Sequence, residues 1–212
     1  MTTSQEASRH PQADPDSDPG VAVMLAYQAG DEAAFDELVR SYSGQVFALL
    51  TRFLGPVARR EDLVQEVFLR VIRARERYQP TARFSTWLYR IVFNLCVNEK
   101  ARGAGRREIA LDGRSDADED AGGGLAAFAD ESAPQPSDGM ERTDAVDAVR
   151  AAIAALPETQ RMALLLAKYD EMPYAEIARV MDSSEKAIKS LIHRARENLR
   201  ATLAPFLSED AA

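Results

Sequence analysis

Apolar residues recur along this 212-residue chain at intervals of three and four, the repeat that gathers side chains on one face of a helix. The first such pattern opens after Gly30, where Asp31 is placed to cap a helix, and runs through Phe35, Leu38, Val39 and Tyr42. A second stretch, 45–54, is stopped by Gly55-Pro56. From 60 to 78 the stripes Leu63/Val67/Val71 and Val64/Phe68/Ile72 form one wide apolar face. Asp62, Gln65, Glu66, Leu69 and Arg73 lie at its margins and back, and Pro80 ends it. A fourth pattern starts at Phe84 with Ser85 as its expected cap. It buries Leu88, Ile91, Val92, Leu95 and Cys96 and fades near Arg102-Gly103. Alternation with a period of two is nowhere sustained, so four helices and no sheet are predicted over about 24–110.

No periodicity survives over 103–143, which holds Gly122-Gly123-Gly124, Pro134, Pro136 and the acids Asp116, Asp118, Glu119 and Asp120. That composition predicts a linker, whose small apolar island at 125–128 hints at a docking contact. Helical spacing returns over 145–156, over 160–169 after Pro157, and over 174–181 after Pro173. Asp182-Ser183-Ser184 make a turn, and 185–203 is the last helix. Two helices joined by three residues, the second longer and basic, have helix-turn-helix geometry. The fold class expected is all-α, with an N-terminal helical bundle and a C-terminal helix-turn-helix domain on a flexible acidic linker. The expected bounds are a disordered tail 1–23, a domain 24–104, the linker 105–143, a domain 144–204 and a tail 205–212.

Composition narrows the classes. The chain is 46% hydrophobic, enough for a core, yet its apolar runs reach only six or seven residues, too few to span a bilayer. The polar N-terminus has no secretory pattern. Cys96 cannot form an internal disulfide, fits a reducing compartment, and sits on an apolar stripe as a small hydrophobe. One cysteine and two distant histidines, His10 and His193, make no zinc site. No phosphate loop, Gly-x-Ser-x-Gly turn or Cys–His pair is present, so no catalytic residue, metal, cofactor or small-molecule substrate is expected.

The net charge of −8 argues against nucleic acid until it is divided along the chain. Residues 1–20 carry −3, 21–111 carry +4, 112–147 carry −9, and 148–212 balance at zero. A binding face depends on the local potential, screened beyond about 8–10 Å at physiological salt. Two such faces emerge. On the last helix Ile188, Leu191, Ile192, Ala195 and Leu199 turn inward, against Ile177, Ala178 and Met181, and leave Lys186, Lys189, Ser190, His193, Arg194, Arg196 and Arg200 outward. Short polar and cationic residues at its start suit a major groove, and the later arginines suit phosphates. On the fourth helix Trp87, Arg90, Asn94 and Asn98 form a stripe, with Arg83 before it and Lys100, Arg102, Arg106 and Arg107 after it. A ring among cations and amides suits a single strand, whose bases stack and whose phosphates need neutralising. Equally, Trp87 could be core and the cations a solvated helix end.

Two segments resemble a known family. Asp62-Leu63-Val64-Gln65-Glu66-Val67-Phe68-Leu69-Arg70-Val71 followed by Phe84-Ser85-Thr86-Trp87-Leu88-Tyr89-Arg90-Ile91-Val92-Phe93-Asn94 is similar to the first conserved domain of bacterial extracytoplasmic-function (ECF) sigma factors of the sigma-70 superfamily. Leu156-Pro157-Glu158-Thr159-Gln160-Arg161, Tyr174-Ala175-Glu176-Ile177-Ala178 and Ala187-Ile188-Lys189-Ser190-Leu191-Ile192-His193-Arg194-Ala195-Arg196 resemble the helix-turn-helix domain of that family, in the same order. The resemblance implies an alternative sigma factor, not an enzyme, that binds RNA polymerase core (its beta and beta-prime subunits), recognises promoter DNA and promotes strand opening. It further implies a cytoplasmic protein without membrane insertion, governed by an anti-sigma factor that could hold it at the inner membrane. By the same resemblance Asp62, Gln65, Glu66 and Leu69 would dock on the polymerase clamp. The loop 78–85, with Tyr78, Arg83 and Phe84, would capture a flipped −10 base, and Thr86, Trp87, Arg90, Asn94 and Asn98 would line the path of the melted strand. Lys186, Lys189, Ser190, His193, Arg194 and Arg196 would meet the −35 element. Asp182 stands where the family often has Gly, Ala187 where Thr is frequent, and Leu191 where Arg is frequent, which alters the expected −35 contacts.

An ordinary helix-turn-helix regulator would bind duplex without polymerase, and a structural adaptor would not need two cationic faces. The linker also permits the sigma arrangement. Promoter elements two duplex turns apart lie roughly 70 Å from one another, whereas 112–143 as a free coil averages about 30 Å. Fully extended it reaches about 110 Å, so it spans the gap only when held stretched.

Overall fold

The computed structural model describes residues 18–55, 59–112 and 138–209, with backbone alone for 101–112, 138–144 and 205–209. Its helices are α1 (Pro19–Gln28), α2 (Glu32–Leu54), α3 (Arg60–Ala74), α4 (Phe84–Asp112), α5 (Asp138–Ala155), α6 (Glu158–Tyr169), α7 (Tyr174–Val180) and α8 (Glu185–Glu209), with a 3₁₀ turn at Arg75–Arg77. No strand occurs among the described residues, and the architecture is all-α as expected.

Helix ends account for most departures from the periodic pattern. The tail expected over 1–23 gives way at Pro19 to α1, a helix that hydrophobic spacing did not announce. Its start is fixed chemically: proline sits in the first turn, and the Asp18 carboxylate accepts a hydrogen bond from Gly20 N (2.9 Å). The other Asp18 oxygen accepts from Phe84 N (2.7 Å). Asp18 therefore caps α4 from a distance, in place of the Ser85 cap expected. A Cβ on Gly20 would lie 2.2 Å from the Tyr42 hydroxyl and 2.9 Å from Phe84 Cβ, so glycine is what lets α1 close against α2 and α4. Asp31 does cap α2, accepting from Ala33 N at 3.0 Å. The two stretches read as separate helices over 32–54 are one, because Gly44 lies mid-helix in open space and breaks nothing. Gly55, at φ 75°, ends it.

Likewise α4 continues past Gly103 to Asp112 and α5 starts at Asp138. Once a helix is nucleated, each added residue gains a hydrogen bond, and Ala, Arg, Glu and Leu favour continuation. The expected linker thus loses both ends to helix; the stretches 1–17 and 113–137 lie outside the described residues, as does the apolar island at 125–128.

Packing brings the two halves together. One hydrophobic cluster joins Met24, Leu38, Leu50, Phe53, Val67, Leu88 and Leu95 to Met162, Leu165, Leu166, Ile177, Ile188 and Ile192. Arg161 to Leu166 are all buried, so α6 has no solvated side over this stretch, as a helix inserted between others requires. Arg161 hydrogen-bonds Phe53 O (2.7 Å) at the end of α2, Leu156 O (2.9 Å) and Ala154 O. One guanidinium thereby satisfies three carbonyls at two helix ends. The guanidinium also lies 5.3 Å from the Phe53 ring, and burial lowers its pKa, opposed by the Glu158 charge.

Candidate nucleic-acid interface

Beginning with the C-terminal half, α7 ends at Val180 and the chain reverses through Asp182, which adopts φ 50°. Aspartate tolerates this left-handed conformation better than most residues, so the missing glycine of the turn is accommodated. Ser183 N donates to Ala178 O (2.9 Å), and Ser184 Oγ accepts from Ala187 N (3.2 Å) to cap α8. Ile188, Ile192 and Ala195 then point into the protein, while Lys186, Lys189, Ser190, His193, Arg194 and Arg196 are exposed on one side. The structure brings all six expected residues to one face. Arg194 folds back on Ser190, with Nη2 3.3 Å from its Oγ and Nε 3.4 Å from its carbonyl. His193 Nδ1 lies 3.3 Å from Glu197 Oε2, an acid that shares this face. Ala187 and Leu191 are half-buried at its edge, and Leu191 packs on the core.

The face on α4 divides in two. Arg90, Asn94 and Asn98 are exposed, one helical turn apart, and remain open to a ligand. Phe84, by contrast, is 0% exposed and Tyr78 4%. They belong to an aromatic cluster in which Tyr78 meets Trp87 edge-on at 4.9 Å and Phe84 meets Tyr42 at 4.9 Å. Tyr78 and Phe84, expected at the DNA, are thus core residues in this arrangement. An aromatic at the mouth of a loop reads the same in sequence whether it faces inward or outward. Burial, with the nearby Asp18 charge, pushes the Tyr78 hydroxyl up to about 12. Trp87 is half-buried against the core and keeps part of its ring outside. Gln28 holds the loop from α1, its side-chain amide donating to Arg75 O (2.8 Å) and Tyr78 O (3.2 Å). Cys96 is buried and its thiol is pushed up to about 12 by desolvation, which suits a packing role. The side chains of Arg102, Arg106 and Arg107 lie outside those described.

Thr86 is 2% exposed and covered by the other half of the chain. Its hydroxyl donates to Glu176 Oε2 at 2.9 Å, and Arg83 Nε lies 3.5 Å from Glu176 Oε1. One turn further, the Tyr89 hydroxyl donates to Asp170 Oδ1 (2.9 Å) and also lies 3.2 Å from Gln45 Oε1. Burial raises the pKa of both Tyr89 and Asp170. Nothing in the sequence marks Glu176 and Asp170 as partners of α4, because the contact joins residues 90 and 81 positions apart.

On α3, Asp62, Gln65 and Leu69 are exposed, and half-buried Glu66 is held by Arg70 at 2.9 Å and Arg73 at 3.6 Å. Ile72, assigned to the buried stripe from its spacing, is instead 40% exposed beside Leu69 at 44%. The α3 core stripe is narrower than predicted, and an apolar pair rimmed by charge faces solvent.

The chain matches the family described as Sigma-70 region 2 over residues 38–107 and the family described as Sigma-70, region 4 over residues 147–199. It is 35% identical over 182 residues to the RNA polymerase sigma-H factor of Pseudomonas aeruginosa, an alignment covering 86% of this chain and 92% of that protein. It is 34% identical over 184 residues to the ECF RNA polymerase sigma-E factor of Escherichia coli K12, with 85% and 92% covered. Among solved structures it is similar to CnrH in complex with the cytosolic domain of CnrY (TM-score 0.60, 24% identity, 87% of this chain and 96% of that one). It is also similar to the sigma factor RpoE in complex with the anti-sigma factor NepR from Bartonella quintana (TM-score 0.59, 19% identity, 80% and 96%). The two structural likenesses bear on the fold, and the relatives at a third identity bear on the family. With a region 2 match, a region 4 match and relatives aligned over nearly their full length, the chain belongs to the ECF sigma factors of the sigma-70 family, which bring RNA polymerase to promoters.

Proposed function

We propose that this sigma factor divides promoter recognition between two helices, with α8 reading the −35 element and α4 holding the opened −10 strand. The observation that carries the reading is that two outward stripes, Lys186/Lys189/Ser190/His193/Arg194/Arg196 and Arg90/Asn94/Asn98, lie on separate helices. Under this reading, the start of α8 enters the major groove while Lys189 and Arg196 meet phosphates. Arg90 neutralises strand phosphates, Asn94 and Asn98 offer amides to unpaired base edges, and the exposed part of Trp87 offers a stacking surface. Arg83 and Thr86 join them when α7 is displaced. Asp62, Gln65, Glu66 and Leu69, now with Ile72, form the docking surface for the polymerase clamp, an apolar centre with a polar rim. The units 24–104 and 144–204 act as the two domains.

The chain contributes binding and strand capture rather than bond chemistry, and it acts in the cytoplasm; no helix among the described residues is long and apolar enough to cross a membrane. An anti-sigma partner is part of the proposal, supported by the RpoE neighbour, which was solved with its anti-sigma factor NepR.

Permanganate footprinting tests the division of labour. Holoenzyme carrying Asn94→Ala is expected to bind promoter duplex as the wild type does, yet to give several-fold lower reactivity of thymines near −10. Equal reactivity in the two would remove α4 from strand capture. Mobility shifts separate a sigma factor from a polymerase-independent regulator: promoter DNA should shift mainly when core is present.

A further inference from the structure

Glu176 occupies an unusual position for a helix-turn-helix carboxylate. It is only 14% exposed, and it faces away from the α8 reading face, toward α4. Its two oxygens take the Thr86 hydroxyl (2.9 Å) and the Arg83 guanidinium (3.5 Å). A hydroxyl and a guanidinium converging on one two-oxygen anion are what a backbone phosphate would also receive.

We infer that Glu176 is an internal stand-in for the promoter strand, a latch that holds the free chain closed with Arg83 and Thr86 withheld from DNA. The inference rests on the function proposed above and adds regulation of the α4 face by the chain's own C-terminal half. Further contacts act in the same sense. Tyr89 bonds Asp170 across the same seam, Arg52 lies over the Tyr169 ring at 4.4 Å, and Arg161 bonds Phe53 O. The closure is also built to yield. The second Asp170 oxygen is buried without a hydrogen-bond partner, a cost the closed form carries and the open form sheds. Moreover, the domains must part by roughly 70 Å to reach both promoter elements, and no contact across the seam survives that separation. Docking of α3 on polymerase and of α8 on the −35 element would therefore open the latch, bare Thr86 and release Arg83 from its ion pair at the moment DNA arrives, while free chain stays silent.

The test uses the full-length chain with Glu176→Ala, Glu176→Gln and the charge-matched control Glu37→Ala, an exposed site on α2. Small-angle X-ray scattering reads the separation of the halves, and fluorescence anisotropy with a random-sequence single-stranded 12-mer pool reads access to α4. Apparent affinity scales with the competent fraction. If about a tenth of the wild type is open, Glu176→Ala should bind the pool about tenfold more tightly and show a larger radius of gyration. Glu176→Gln keeps an acceptor for Thr86 but loses the charge facing Arg83, and it should fall between; it also serves should the alanine variant fold poorly. Glu37→Ala should match the wild type in both readouts. The latch is overturned if the Glu176 variants scatter like the wild type, if their gain does not exceed that of Glu37→Ala, or if the wild type is already as extended as Glu176→Ala. Run-off transcription by wild-type holoenzyme reports separately on the proposed function: initiation with no change in the Glu176 variants removes the latch alone.

Discussion

A single carboxylate, Asp18, ties the start of α1 to the start of α4 by accepting from Gly20 N and Phe84 N. An N-cap contributes about 1 kcal/mol, so Asp18→Ala, which removes two, is expected to lower unfolding free energy by about 2 kcal/mol, read from the urea midpoint. No change in midpoint would mean that water replaces both bonds. Asp170 has the opposite sign. Burial raises its carboxyl above the usual 3.8, opposed by the Tyr89 hydrogen bond and the Arg52 charge. A raised folded-state value favours the fold below the unfolded value, and that contribution is lost as pH rises through the folded value. Ionised near neutrality, Asp170 works against the fold. Asp170→Asn keeps an acceptor for Tyr89 and is expected to raise Tm by about 1–3 °C at neutral pH, a gain that shrinks as pH falls toward 3.8. A gain that is constant with pH would remove titration as the cause. Asp18 was unreadable in sequence, because a cap acting across 66 positions leaves no local pattern. Asp182 was readable, because its left-handed backbone is a demand local to the turn.

Among the helices, spacing revealed those with one apolar face and misjudged those set by tertiary contact. The stretches covered by α3, α6, α7 and α8 were evident as periodic segments. The two predicted segments within α2 merged because glycine weakens a helix without ending it. The α4 stripe was legible, yet spacing could not tell that Phe84 turns inward while Arg90 turns out. One clue to the packing of α6 was present: the uninterrupted apolar run Ala163-Leu164-Leu165-Leu166-Ala167 leaves that helix no solvated side. On α3 the exposed Leu69/Ile72 pair yields a direct expectation. Leu69→Asp should leave the thermal melt unchanged and weaken binding to polymerase core by about tenfold or more, as loss of a central apolar anchor does; unchanged affinity would place the docking surface elsewhere. On α8, Lys189→Ala should weaken −35 binding and reduce the salt dependence by about 0.9 log unit per lost phosphate contact. An unaltered slope would show that Lys189 meets no phosphate.

For the molecule as a whole, the sequence conveyed two helical units and an acidic segment between them but not that the units share a core. The polar part of that contact is made by residues which each unit would display as ordinary surface, namely Glu176, Asp170, Arg83 and Thr86. The bulk charge of −8 likewise conceals the cationic helices that matter, since the acids concentrate in 112–147. The proposed division of labour unites these features: α3 as the docking face, α4 and α8 as the nucleic-acid faces, and a segment long enough to separate them. The most direct test is transcription by purified polymerase core over a library of randomised promoters, with and without the chain. Discrete RNA start sites are expected only when the chain is added, preceded by two sequence elements at a fixed spacing near two duplex turns. Core that initiates no differently in the presence of the chain would contradict the proposed function.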